Sequence, residues 1–266
     1  MKLTKVISLV LALALVLSMA TVAFADKLDD IKTAGKLVVE TEATYPPYEY
    51  LDDEGKPAGC DIFLAQQIAD AIGVELEIMD TAFDSIIMDI KGGQGDLGIA
   101  AFTIDEERAE KIDFSDSYEA SMQLLVVKAG NEDLYATKEG LAGLKVGAQM
   151  GTIQSKLVTK VFGEDALFEL EAYGPLSLEV ANGNIAGFVA DAEVAEAYVA
   201  ASDGKLAVSN FAFTAEEANF GKAIVVKKGE AALMAIVNEV IAKVLADGSY
   251  QAAKDAAVAE SGAAGD

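Results

Sequence analysis

The chain has 266 residues, 52% of them hydrophobic, with 44 acidic against 20 basic side chains and a formal charge of −24. That charge disfavours nucleic acid and anionic membrane surfaces as partners. The absence of histidine excludes the commonest general base, the usual zinc site and any Ser-His-Asp or Cys-His arrangement, and the single cysteine excludes an internal disulfide.

Residues 1–25 read as a secretory signal peptide. Lys2 and Lys5 form a basic start, Val6 to Met19 an apolar stretch, and Ala23-Phe24-Ala25 a small-x-small cleavage site. The apolar stretch is shorter than the ~20 residues of a membrane span. No cysteine stands at the cleavage point, so the expectation is a periplasmic or secreted protein without a lipid anchor. Removing residues 1–25 from 266 leaves 241, and removing Lys2 and Lys5 takes the charge from −24 to −26. Such a length suits one large domain or two lobes of ~100–120 residues.

Helical and strand patterns then alternate. Leu37–Glu40 reads as a strand, and Ile62–Ile72 as an amphipathic helix entered at Asp61 and stopped by Gly73. Val74–Met79 is a strand, Asp84–Ile90 a helix, Leu97–Ala101 a buried strand. Thr103-Ile-Asp-Glu106 has the form of a capping box opening a helix that carries Arg108. After the strand Gln123–Lys128 the alternation restarts: strands at Lys145–Gln149, Ala186–Ala190 and Lys222–Val226, and helices at Thr152–Val161, Ser177–Asn182, Ala192–Ala201, Ala231–Ala246 and Gln251–Val258. The pattern predicts an α/β fold with mainly parallel sheets and flanking helices. The tail Ser261–Asp266 reads as disordered, and Cys60 as a small buried hydrophobe.

Four segments could carry chemistry. Thr41-Glu-Ala-Thr-Tyr-Pro-Pro-Tyr-Glu-Tyr-Leu51 is a loop stiffened by paired prolines, presenting Glu42, Tyr45, Tyr48 and Tyr50. It suits a small cationic or zwitterionic ligand, or equally tyrosines packed on the core. Arg108 can fork a carboxylate, or pair on a helix surface with Asp105 or Glu107. Gly151-Thr152-Ile153 opens a helix after a strand, where free N–H groups favour an anion; Thr152 is otherwise an ordinary N-cap. Asp191 ends a strand, where ligands of open α/β sheets bind, and is otherwise the N-cap of the next helix.

In order along the chain, several motifs resemble the family 3 extracellular solute-binding proteins, the polar amino-acid receptors of bacterial ABC importers. They are Thr44-Tyr-Pro-Pro-Tyr-Glu49, Gly59-Cys-Asp-Ile-Phe-Leu-Ala65, Ala82-Phe-Asp-Ser-Ile-Ile87, Thr103-Ile-Asp-Glu-Glu-Arg108, Ile112-Asp-Phe-Ser-Asp-Ser-Tyr118, Val146-Gly-Ala-Gln-Met-Gly-Thr152, Val189-Ala-Asp191 and Leu245-Ala-Asp-Gly-Ser-Tyr250. The resemblance implies a two-lobed periplasmic-binding-protein fold of type II. Lobe one would be 26–117 with 224–266, lobe two 123–218, and the hinges 118–122 and 219–223. It implies no cofactor and no catalysis, but a monomer that closes around an amino acid and delivers it to membrane ABC permease subunits.

By the same resemblance Arg108 would hold the ligand α-carboxylate, completed by Thr152 and the backbone of Ile153, where many relatives carry a second hydroxyl. Asp191, Thr103 and the carbonyl of Ala101 would take the α-ammonium. Tyr45 and Phe83 would flank the side chain, Glu42 would face its distal cationic group, and Gln149 and Gln154 would add polar contacts. The motifs look most like the arginine branch. Alternatives are a neutral polar ligand such as glutamine, or an enzyme like the cyclohexadienyl dehydratases, which share this fold.

Overall fold

The computed structural model describes residues 27–214 and 220–263. The expected signal peptide, residue 219 of the second expected hinge and the last three residues lie outside them.

The first half builds α1 (Lys27–Ala34), β1 (Lys36–Thr41), a small antiparallel sheet of β2 (Thr44–Tyr45), β3 (Glu49–Leu51) and β4 (Pro57–Ala58), then α2 (Cys60–Ile72), β5 (Glu75–Asp80), α3 (Phe83–Gly92), β6 (Leu97–Gly98), α4 (Glu106–Ala109) and β7 (Asp113–Phe114). The chain crosses through β8 (Glu119–Ser121). It then forms β9 (Gln123–Lys128), β10 (Val146–Gln149), α5 (Ile153–Phe162), β11 (Leu167–Leu170), α6 (Tyr173–Asn182), β12 (Gly187–Asp191), α7 (Ala192–Ala200) and β13 (Leu206–Val208). It returns through β14 (Phe220–Lys222) and β15 (Val225–Val226), ending in α8 (Ala231–Ala246) and α9 (Ser249–Ala263).

Two five-stranded sheets result, in the orders β5-β1-β6-β15-β7 and β11-β10-β12-β9-β13. Each has one antiparallel member, β15 or β9, and in each case that strand has just arrived from the other sheet. The crossing segments β8 and β14 pair with each other, Lys222 opposite Glu119. This is the mainly parallel α/β fold that the alternation predicts, built as the two sheets that the resemblance implies.

Helices cover both faces of each sheet, so strand residues are apolar on both sides. Along β9, Val126 joins the core with Tyr173, Leu176 and Phe188, while Leu125 and Val127 join Leu157 and Val158 on the opposite face. Each such fully buried aliphatic or aromatic side chain contributes about 1.5–3 kcal/mol of transfer free energy. The first sheet packs Leu37, Leu64, Ile68, Leu233 and Val237 on one side and Ile86, Ile90 and Phe102 on the other.

The proline loop is fixed by backbone contacts. Cys60 N–H donates to Pro47 O (3.1 Å) and Asp61 N–H to Tyr48 O (2.9 Å), laying the loop over the start of α2. Gly59 permits this: its φ is 119° and a Cβ there would stand 2.2 Å from Tyr48 O. Tyr48 and Tyr50 pack into the core, while Cys60 is fully buried as expected.

Several local expectations change. Asp61 does not enter α2; Gly59 is the N-cap and Asp61 is buried in the first turn. The capping box at Thr103 does not form. Asp105 caps α4, accepting from Arg108 N–H at 3.0 Å, while Thr103 forms a bridge with Lys222. The strand expected at Leu97–Ala101 stops at Gly98, because Ala101 takes a left-handed φ of 45° that an extended strand cannot hold. The strand expected at Lys222–Val226 divides into β14 and β15 where the chain leaves the crossing. The helix expected from Ser177 begins at Tyr173, since Pro175 lies in the first turn, where its missing N–H costs nothing. The final helix extends to Ala263, into the segment read as disordered.

Candidate ligand-binding site

The C-terminal ends of β1, β10 and β12 and the turn after β6 face one space between the sheets, the position where open parallel sheets hold ligands. A small cavity lies there. The residues expected to contact a ligand line it: Glu42, Tyr45, Phe83, Ala101, Thr103, Arg108, Gln149, Thr152, Ile153 and Asp191, with Gln154; Tyr48 and Tyr50 do not. Glu49 and Ala100 complete the wall and were not anticipated.

One end is positive. Arg108 is 6% exposed, and its guanidinium donates to Thr103 O (3.1 Å) and Gly151 O (2.9 Å). The group lies over the rings of Phe83 (5.4 Å) and Phe102 (5.6 Å). It makes no ion pair with any described acid: Asp105 and Glu107 turn outward to Lys156. Burial lowers its pKa to about 10, which leaves it charged at neutral pH. A buried cation without a counter-ion is costly unless an anion joins it. The start of α5 lies beside it. Thr152 caps that helix, accepting from Ser155 N–H at 3.2 Å and donating to Gln149 O at 2.7 Å. The first-turn residues Ile153 and Gln154 line the cavity, at the end of the helix whose dipole favours negative charge.

Another part of the lining is acidic. Glu42 accepts from Thr44 Oγ1 and from Gln149 Nε2 (3.0 Å), and forms no ion pair among the described residues. Burial pushes its carboxyl up to about 7, against those two hydrogen bonds. Glu49 is pushed well above the ordinary carboxylate range, by burial first and by neighbouring Asp61 second. Asp61 in turn accepts from Ala101 N–H (2.8 Å) and Tyr118 OH (2.9 Å), pinning the left-handed Ala101 against the cavity. Such strain is kept where the surroundings over-determine it.

The comparisons with known proteins decide what this cleft belongs to. The sequence profile of the bacterial extracellular solute-binding proteins, family 3, matches residues 37–258. The chain belongs to that family. It is 34% identical over 247 residues to the L-cystine-binding protein TcyJ of Escherichia coli K12, covering 91% of each chain. It is 30% identical over 262 residues to the histidine-binding periplasmic protein of the same organism, covering 91% of this chain and 94% of that one. Among solved structures, the substrate-binding protein AbpA of Streptococcus pneumoniae bound to L-arginine superposes with a TM-score of 0.84 at 30% identity, covering 88% of this chain and 98% of that one. The fold is therefore the type II periplasmic-binding-protein fold.

In this solute-binding protein the helix-cap alternative for Asp191 does not hold. Asp191 stands at the N-cap position of α7 but its side chain makes no capping bond. Oδ1 accepts from Gln123 Nε2 (2.6 Å), and Oδ2 accepts from Tyr45 OH (2.6 Å) and Lys222 Nζ (2.5 Å). Sequence reasoning missed Lys222 as part of this constellation. A signal existed: it is the only charge in the apolar run Gly221–Val226, and a lysine there must find a partner.

Gly151 couples the two sides of the cleft. Its φ is 74°, and a Cβ would lie 2.9 Å from Cβ of Asp84 on α3. Gly151→Ala is expected to strain the turn and hold the cleft surfaces apart. Ligand affinity should fall by about tenfold, the equivalent of roughly 1–2 kcal/mol. Calorimetry on the variant checks this; affinity within twofold of the parent would show that the two surfaces need not meet.

Proposed function

We propose that the protein is an exported receptor that closes around a basic amino acid, arginine favoured, and presents it to ABC permease subunits. The observation that carries this reading is Arg108: a buried guanidinium without an acidic partner among the described residues, in a cavity that Glu42 also lines. An α-carboxylate would satisfy Arg108 and the α5 terminus. The α-ammonium would lie near Asp191, Thr103 and the Ala101 carbonyl. A distal guanidinium would meet Glu42, between Tyr45 and Phe83. The lobes would be 26–117 with 224–266, and 123–218, with hinges at 118–122 and 219–223. β8 and β14, which pair with each other, would then run through both hinges. Ligand contacts drawn from both lobes would favour closure only when ligand is present. The working form would be a monomer in the periplasm or outside the cell.

A thermal-shift screen of the twenty amino acids, ornithine and cystine tests the reading. A ligand at a hundred times its Kd adds about 2.7 kcal/mol, or roughly 5–10 °C in Tm for a chain of this size. Arginine should give the largest shift. Shifts from acidic amino acids alone would overturn the pocket assignment.

One feature favours a second reading. A carboxyl near pH 7 inside the cleft, Glu42, is tuned as a general acid would be. A dehydratase of the cyclohexadienyl type would use such a group, and a prephenate-turnover assay separates the two. The receptor reading expects none.

A further inference from the structure

Asp191 and Arg108, the two charged groups set to receive an amino acid's main-chain ends, are prepared differently. Arg108 meets only backbone carbonyls and aromatic faces, so its charge is free for a ligand anion. Asp191 is already matched. Lys222, 1% exposed, places Nζ 2.5 Å from Oδ2 of Asp191 and 4.4 Å from the centre of the Tyr48 ring. Its backbone is tied to the first lobe, through the bridge to Thr103 and through Tyr118 N–H onto Lys222 O (3.0 Å). Its side chain reaches across to the end of a second-lobe strand. Two carboxylate oxygens offer about four acceptor positions. Lys222, Tyr45 and Gln123 take three of them.

We propose that Lys222 is a specificity-determining residue: it neutralises Asp191 from within the protein, so that the cleft accepts carboxylates whose α-amino group is missing alongside free amino acids. An arriving ammonium finds one acceptor position, and the attraction of Asp191 is offset by repulsion from Lys222 a few ångströms behind it. Recognition then rests on the carboxylate at Arg108 and on the distal group at Glu42. The ligand class widens to ω-guanidino, ω-amino and ω-amido carboxylic acids. The inference depends on the receptor reading, and on Asp191 facing the α-position.

The test is calorimetric titration of two matched pairs, L-arginine with 5-guanidinopentanoate and L-glutamine with 4-carbamoylbutanoate, against the parent, Lys222→Met and Lys222→Gln. A site that gives a ligand group its own unpaired buried partner rejects the analogue lacking that group by about 10⁴-fold or more. Here the parent should prefer the amino acid by less than about 30-fold. Each variant should widen that preference at least tenfold, because Asp191 is freed for the ligand ammonium. Lys222→Gln keeps a donor toward Asp191 and covers the case in which the methionine variant does not fold. A parent preference above about 10³-fold would overturn the proposal and leave the receptor reading standing, as would variants whose preference is unchanged or smaller. Absence of binding by all four compounds and by the amino-acid screen would remove the receptor reading and the proposal with it.

Discussion

Arg108→Ala is expected to cost about 2–5 kcal/mol of ligand binding, the range for removing one partner of a buried, hydrogen-bonded charge pair. The same change should cost the empty protein far less. Without ligand the guanidinium has no counter-ion among the described residues; it gives up two bonds to backbone carbonyls and its packing on Phe83 and Phe102. The two quantities therefore separate: affinity collapses while Tm without ligand moves little. Arg108→Lys should recover only part of the loss, since an ammonium lacks the planar fork that engages both carboxylate oxygens. Titration calorimetry and melting of the empty protein check both halves. Affinity within threefold of the parent would remove Arg108 from the site. A large fall in the unliganded Tm with affinity retained would make it a structural residue.

The site was legible where one residue type at one strand end has few alternatives. Glu42 and Asp191 stand out because they sit at or just past strand ends, and Arg108 and Gln149 come with the family motifs; all four line one cavity. The backbone between Gly98 and Arg108 was less legible. The apolar run there suggests a longer strand and Thr103-Ile-Asp-Glu106 a capping box, yet Asp61 captures the Ala101 N–H and Asp105 captures the first turn of α4. Both bonds come from side chains whose reach no periodicity records. Lys222 was hidden for a related reason. Its place in the apolar run Gly221–Val226 marks it as buried, but its partner lies 31 residues away, at the end of a strand in the other sheet, so nothing local says which acid it meets. The short strands β2, β4, β11 and β13 escaped because two to four residues are too few to show a period of two. The antiparallel strands β9 and β15 read like their parallel neighbours, because both faces of each sheet are covered.

Specificity should turn on Glu42, and pH is the way to see it. Its folded carboxyl titrates near 7 against an ordinary 4.5, with burial as the cause. An acid whose pKa is raised on folding contributes stability that is fully present below about pH 4.5 and lost as pH rises to 7. Above pH 7 the empty protein therefore carries a buried, uncompensated carboxylate, and a cationic ligand group supplies the missing charge. Arginine affinity should then rise by about tenfold between pH 6 and pH 8, as the ionised fraction of Glu42 grows from about one-tenth to nine-tenths. Binding near pH 7 should release a proton, visible as a dependence of the calorimetric heat on the buffer's ionisation enthalpy. A neutral side chain such as that of glutamine gains nothing from ionised Glu42 and leaves it desolvated, so its affinity should stay level or fall over the same range. Other carboxyls titrate in this window, Asp61 near 6 among them, so the slope must be traced to its residue. Glu42→Gln does so. It should flatten the arginine profile and lower arginine affinity at pH 8 by about 10–100-fold, while glutamine changes by less than about threefold. A profile that keeps its slope in Glu42→Gln would place the titrating group elsewhere, and a parent that binds glutamine more tightly than arginine at pH 8 would remove Glu42 from the recognition of the side chain.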